Sequence, residues 1–222
     1  MAGRISYYGN IVKDGLVLCL DAAKRDSYPG TGTAWNDISG FRNNSTLTNG
    51  PTFNSGNGGS IVFDGVDDFV TSTAISVTNW TVECWFKSNS VGGNFKGIFE
   101  FAFNNNGRSG IGINLNGYPL ISYPTGLFRV SSTQAVDNNQ WYCLVGVYNV
   151  TSQNLYVNGN LQTLGSNLSA APTSFTNVIR IGDFTIPGYY LNGSIASVRF
   201  YNRALSATEV LQNYNATKVR YL

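Results

Sequence analysis

About a dozen short runs of apolar or alternating residues, each closed off by Gly, Asn, Asp or Pro, punctuate this chain of 222 residues. Runs of that length are too short for packed helices. Each exposes backbone donors and acceptors that only a neighbouring strand can satisfy. Gly15-Leu-Val-Leu-Cys-Leu20 is continuously apolar, as in a strand covered on both faces. Thr81-Val-Glu-Cys-Trp-Phe-Lys87 alternates, with Val82, Cys84 and Phe86 on one face and Thr81, Glu83, Trp85 and Lys87 on the other. Gln140 to Tyr148 is the strongest strand signal, with Trp141, Cys143, Val145 and Val147 sharing a face.

Two turn pairs predict hairpins. Asp64-Gly65 lies between Ile61–Phe63 and Val66–Val70, and Asn158-Gly159 between Asn154–Val157 and Leu161–Leu164. Further strands are predicted over 96–103, 109–115, 119–123, 128–131, 178–181 and 194–201. Residues 24–59 read as a long loop anchored by Trp35 and Ile38. One helix is predicted: Ser206 is its N-cap, Glu209 completes a capping box, Leu205 and Val210 form a hydrophobic staple, and it runs to about Tyr214. Lys218 and Arg220 follow as a basic tail. Strands without intervening helices imply an all-β, two-sheet antiparallel jelly-roll sandwich with one short C-terminal helix. The sandwich takes residues 14–222, and residues 1–13 form an N-terminal arm in which Tyr7 and Tyr8 are the expected docking side chains.

Charged residues make up only 12% of the chain, 14 basic against 12 acidic, with no concentrated basic block. This argues against nucleic acid as a partner, because counterion release needs a clustered basic face. No apolar run approaches a membrane span, and the first residues lack the apolar stretch of a secretory signal. Cys19, Cys84 and Cys143 are an odd set inside apolar runs, expected to be reduced and buried.

Histidine is absent, which removes Ser-His-Asp and Cys-His catalysis and His-based zinc sites. Glycoside hydrolysis needs paired carboxyl groups, roughly 5–5.5 Å apart for retention. The three Glu residues, Glu83, Glu100 and Glu209, show no Glu-x-Asp-x-Glu spacing, and Glu209 belongs to the helix cap. The chain is therefore expected not to be an enzyme. Sugar recognition calls for aromatic rings beside Asn, Asp or Arg. The candidate loops carry Asn104 and Arg108, Tyr123 and Arg129, and Tyr189 and Tyr190. No cofactor is expected; Asp64, Asp67 and Asp68 are the alternative site for a cation.

Ser60-Ile-Val-Phe-Asp-Gly-Val-Asp-Asp-Phe-Val70, Trp80 to Lys87, Trp141 to Tyr148, Leu155-Tyr-Val-Asn-Gly159 and Leu191 to Val210, in that order, resemble the laminin-G-like, concanavalin A-like lectin/glucanase superfamily. The resemblance covers roughly 14–215 and implies a lectin-like fold. Many members hold a structural calcium, with Asp in the closing strand where this chain has Ala196, and Asp in the hairpin where it has Asn158. Lys13 to Ala23, Ser27 to Trp35, Asp37 to Gly40 and Leu47 to Pro51 resemble short structural proteins of tailed, especially marine, bacteriophages. That resemblance implies a virion role, as head decoration, fibre or host-attachment module. It implies production in the host cytoplasm, oligomers or assembly on a particle, and other virion proteins as partners. Host surface glycans are the alternative partner, recognised as by a lectin-like module.

Overall fold

A computed structural model describes residues 11–102, 108–122, 128–163 and 178–222. The first strands are β1 (Leu16–Asp21), β2 (Ala34–Trp35), β3 (Ser45–Thr48) and β4 (Thr52–Asn54). Next come β5 (Ser60–Asp64), β6 (Phe69–Ser72), β7 (Trp80–Ser88), β8 (Lys96–Ala102) and β9 (Arg108–Ile113). After β10 (Pro119–Ser122) and β11 (Phe128–Ser131) run β12 (Trp141–Asn149), β13 (Ser152–Val157) and β14 (Asn160–Leu161). β15 (Ile179–Ile181), β16 (Asn192–Tyr201) and helix α1 (Ala207–Thr217) close the chain.

The strands form two antiparallel sheets. One has the order β14-β13-β12-β7-β16-β5-β4, with β1 also paired to β16; the other runs β11-β10-β9-β8-β15-β6-β3-β2. This is the expected two-sheet jelly-roll sandwich with one short C-terminal helix. Strand β16 organises the first sheet. Its start pairs with β5, its end with β1, and β7 lies along its other edge. Trp80, Val82, Phe86, Phe99, Phe101, Leu144 and Phe200 fill the space between the sheets. Each such side chain contributes roughly 1.5–3 kcal/mol of burial.

The alternation read from Thr81–Lys87 and Trp141–Val147 separates two layers. The second layer, on the outer face of the first sheet, contains Trp85, Cys143, Val145 and Val147 with Ala196, Tyr201, Leu205 and Val210. Helix α1 covers it. The predicted capping box is present: Ser206 Oγ accepts the Glu209 amide at 3.3 Å, and Glu209 Oε2 accepts the Ser206 amide at 2.8 Å. The helix ends at Thr217, one turn beyond the expected end. The Thr217 hydroxyl donates to the Asn213 carbonyl and accepts the Trp85 indole N–H at 2.9 Å, which ties that last turn to the sheet. All three cysteines are buried and free. Among the described residues, no helix is long and apolar enough to cross a membrane.

Three sequence expectations need correction. Asp64-Gly65 does not join a hairpin, because β5 belongs to the first sheet and β6 to the second. A two-residue turn of that kind needs positive φ at both positions; Gly65 has it at 82°, whereas Asp64 does not. Instead Asp64 Oδ1 accepts the Val66 amide and Asp68 Oδ2 accepts the Asp64 amide, making a wider turn that crosses between sheets. Asn158 and Gly159 both have positive φ, 50° and 78°, and the hairpin expected there forms.

Residues 24–59 contain β2, β3 and β4. Trp35 is fully buried, but Ile38 is 37% exposed and is tied down by its amide, which donates to the Cys19 carbonyl, and not by its side chain. The anchor is its neighbour Asp37, whose carboxylate accepts the amides of Cys19, Ser39 and Asn43. Finally, Arg220 is not part of a solvated tail. Its guanidinium donates to Asp21 Oδ1 at 2.8 Å and to the Gly59 and Asn57 carbonyls, while Tyr221 stacks on Trp85 with ring centroids 4.1 Å apart.

Candidate functional site

The acidic residues best suited to chemistry are held inside the scaffold. Glu83 lies beneath α1, where Arg199 donates to its Oε1 at 2.5 Å and Asn213 to its Oε2 at 2.9 Å. Asn213 also donates to the Tyr201 hydroxyl and accepts the Val12 amide; the Tyr201 hydroxyl donates to the Val12 carbonyl. Burial opposes the Arg199 charge, and the Glu83 carboxylate overrides it and keeps the guanidinium protonated. Burial likewise pushes the Cys84 and Cys143 thiols well up, so neither is a nucleophile near neutral pH.

The outer face of the second sheet is also built over. Gly97 and Gly112 leave room for the segment after β15. A Cβ at Gly97 would strike the Asp183 carbonyl and the Phe184 nitrogen, and one at Gly112 would strike the Phe184 ring. Glu100 is fully buried there and accepts both the amide and the hydroxyl of Thr185 at 2.7 Å. Arg180 pairs with Asp183 and lies over the Phe69 ring, 3.4 Å from its centroid.

An open polar space lies at the free edge of the first sheet. It holds about 220 Å³ and is lined by Gln134 and Asp137 from the segment before β12, Tyr142 from β12, Asn158 from the hairpin turn, Asn160 from β14, and Gln162. Local bonds shape it. Tyr142 O–H accepts the Asp137 amide at 3.0 Å and donates to Asp137 Oδ2 at 3.3 Å. Asn158 Oδ1 accepts the Cys143 amide, and Gln162 bridges the Ser132 hydroxyl and the Asn160 carbonyl. The Tyr142 ring packs against Phe86 in the core, which fixes the floor. Burial, with the Asp137 carboxylate as a further contribution, raises the Tyr142 hydroxyl above its ordinary pKa, so it stays protonated and able to donate.

The sequence profile of the concanavalin A-like lectin/glucanases superfamily matches residues 63–211. The chain belongs to that superfamily. Comparison with curated protein sequences finds no match. Among solved structures, the chain is similar to Trypanosoma rangeli sialidase in complex with sialic acid, at 15% identity and a TM-score of 0.70, covering 93% of this chain and 33% of that one. It is similar to domain 4 of AbnA, an extracellular GH43 arabinanase of Geobacillus stearothermophilus solved with arabinotriose. There the identity is 17%, the TM-score 0.68, and the coverage 90% and 98%. The binding domain of Paraclostridial Mosquitocidal Protein 1 is similar at 16% identity and a TM-score of 0.69, covering 92% and 52%. The chain thus spans about a third of the length of the sialidase, and these likenesses concern the superfamily fold.

The calcium that the superfamily resemblance implies finds only part of a shell here. Ala196 is fully buried in the layer under α1 that also holds Trp85 and Cys143, and it brings no side-chain oxygen to that position. Carboxylate oxygens of Asp64, Asp67 and Asp68 do lie within 4.8 Å of one another. Calcium takes about 6–8 oxygens. One oxygen of Asp64 and one of Asp68 are already spent on backbone amides, and those bonds account for the cluster without an ion. Burial, joined by the charges of Asp64 and Asp67 and opposed by the Asp64 amide, raises the Asp68 pKa.

Of the expected sugar-binding residues, Tyr189 and Tyr190 are half-buried in the segment over the second sheet. Tyr189 packs on Phe95, and its carbonyl accepts the Gly97 amide. Asn104, Tyr123, Tyr7 and Tyr8 lie outside the described residues, as do the side chains of Arg108 and Arg129. The pocket residues were not singled out from sequence. Their signal was present: Asn158, Asn160 and Gln162 alternate polar at the end of the last strand of a sheet, with Tyr142 on the face opposite Trp141.

Proposed function

We propose that this chain is a non-catalytic, lectin-like binding module that holds a glycan in the pocket at the β14 edge. The observation that carries this reading is the contrast between locked acids and open amides. Glu83, Glu100 and Glu209 are each tied to an internal partner, Arg199, Thr185 and Arg203 respectively. The pocket meanwhile offers one carboxylate, several amides and a tyrosine, the side chains that pair with vicinal hydroxyls. Glycan-array binding by the purified chain tests it. Signals lost on replacing Asn160 and Gln162 by Ala support the reading. Cleavage of a bound polysaccharide, abolished by Glu83→Gln or Glu100→Gln, would sink it.

A second reading rests on the resemblance of residues 13–51 to phage structural proteins: the module is carried on a virion, as decoration, fibre or attachment protein. Ile11 and Val12 are buried, and Val12 bonds Asn213 of α1 and Tyr201 of β16, so an assembling arm would be residues 1–10. A peptide inventory of purified particles tests this. Absence of the chain from intact virions rejects it, and so does full particle retention of a chain lacking residues 1–10 for the arm.

A further inference from the structure

Resting on the glycan reading, we infer that the β14-edge pocket takes a single sugar ring that is uncharged or carries an amine, and that it disfavours acidic sugars such as sialic and uronic acids.

Charge sets the preference. Among the described residues lining the pocket, Asp137 is the one acidic side chain and none is basic. Lys87, the cation on the neighbouring strand, lies over the Trp141 ring on the other face of the sheet, 5.5 Å from its centroid. An acidic sugar entering here brings its carboxylate toward Asp137 with no described cation to receive it. Asp137 is exposed, so this is a solvent-facing like-charge repulsion, modest in size and weakened by salt. A hydroxyl pair or an ammonium group, by contrast, can donate to Asp137 directly. Its Oδ2 already takes the Tyr142 O–H, and its Oδ1 accepts no bond among the described residues.

Size limits the ligand. A volume of about 220 Å³ is below the roughly 300 Å³ at which drug-sized ligand pockets begin. The space suits one ring. The lining comes from the 134–137 segment, Tyr142 and the 157–162 stretch, and leaves room for one ring and not for a second beside it.

The hydrogen-bonding pattern agrees with both. The lining amides act as donors and acceptors at once: Gln162 accepts from Ser132 and donates to the Asn160 carbonyl. Among the described residues the Gln134 side chain makes no hydrogen bond, and Gln134 is exposed at the rim. Sugar hydroxyls also donate and accept, so neutral rings match this lining without a net charge.

The test uses the full chain and matched probes: methyl β-galactopyranoside against methyl β-galacturonide, and methyl β-glucopyranoside against methyl β-glucuronide. Side-chain amide signals of Gln134, Asn160 and Gln162 are followed by NMR. The neutral member of at least one pair is expected to move these signals, with its acidic counterpart about threefold to fivefold weaker. Asp137→Asn is expected to narrow that gap by improving the acidic sugar, and so is raised ionic strength. Equal binding of the acidic member in this pocket overturns the inference, as does an unchanged ratio in Asp137→Asn. If glycosides move other signals and leave these three unmoved, the glycan reading stands and this inference falls. If no glycoside of either charge moves any signal, the glycan reading itself fails.

Discussion

The outer face of the first sheet and its free edge use similar polar side chains for opposite purposes. Under α1, Glu83, Arg199, Asn213 and Tyr201 are all buried and bonded to one another. At the β14 edge, Gln134, Asp137, Asn160 and Gln162 face a space, and their side-chain bonds run to nearby carbonyls and to the hydroxyls of Ser132 and Tyr142. What differs is the cover. A helix laid across the face turns polar groups into fasteners, because an unpaired polar group there costs several kcal/mol. An uncovered edge leaves the same groups solvated and available. Residue type alone does not separate structure from recognition; the element packed above it does.

The sharpest way to break this contrast is to remove one fastener. Arg199→Met leaves the Glu83 carboxylate buried with Asn213 alone, and should cost about 3–5 kcal/mol in urea unfolding. Replacing both members, Glu83→Leu with Arg199→Met, should recover most of that loss, since an apolar pair fits the layer of Trp85 and Val145. If the single variant unfolds like the parent, the network is not a fastener. A smaller effect is expected on the other sheet. Gly97→Ala drives a methyl into the backbone at Asp183 and Phe184, and should cost about 1–3 kcal/mol through overpacking. The Thr185 bonds to Glu100 should weaken with it, visible as faster amide exchange at Thr185.

Much of the covered face was legible from sequence, and the edge was not. Alternation in Thr81–Lys87 and Trp141–Val147 assigned side chains to the correct layers, because a period of two leaves little freedom once one face is apolar. Ser206 and Glu209 announced the helix, since a capping box is a local device. The Asp64-Gly65 turn misled because local chemistry cannot say whether the next strand stays in the same sheet. The loop 24–59 hid three strands of two to four residues; β2 and β4 pair nearby in the chain, with β3 and β5, but β3 joins its sheet only through β6, which lies beyond the loop. The pocket was illegible for the same reason. Gln134, Tyr142 and Gln162 meet only through tertiary folding, and an Asn-rich chain offers many equally polar loops.

The helix cap tests how the cover itself is held. Ser206→Ala removes the acceptor for the Glu209 amide and should cost about 1 kcal/mol. The cap is also acid-labile. The Arg203 bond, with the Ser206 amide, depresses Glu209 from 4.5 to about 2. A carboxylate lowered on folding contributes stability above its unfolded pKa, and that contribution is lost as pH falls through the folded value. Thermal unfolding should therefore show a loss between about pH 4.5 and pH 2 that Glu209→Gln lacks. An identical acid profile in both proteins would remove Glu209 as its source.

The smallest stability effect is expected where binding should change most. Gln134 is exposed and its side chain makes no hydrogen bond among the described residues, so Gln134→Ala should leave stability within about 0.5 kcal/mol. If the edge serves recognition, the same change should weaken binding of neutral glycosides, because one donor–acceptor pair at the rim is gone. Trimming Leu161, exposed on the same edge strand, to Ser supplies the control. It alters the edge without touching the lining and should leave glycoside binding as it was. A Gln134→Ala protein that unfolds markedly earlier would put the edge in the same class as the face under α1, with its polar groups serving the fold instead of a ligand.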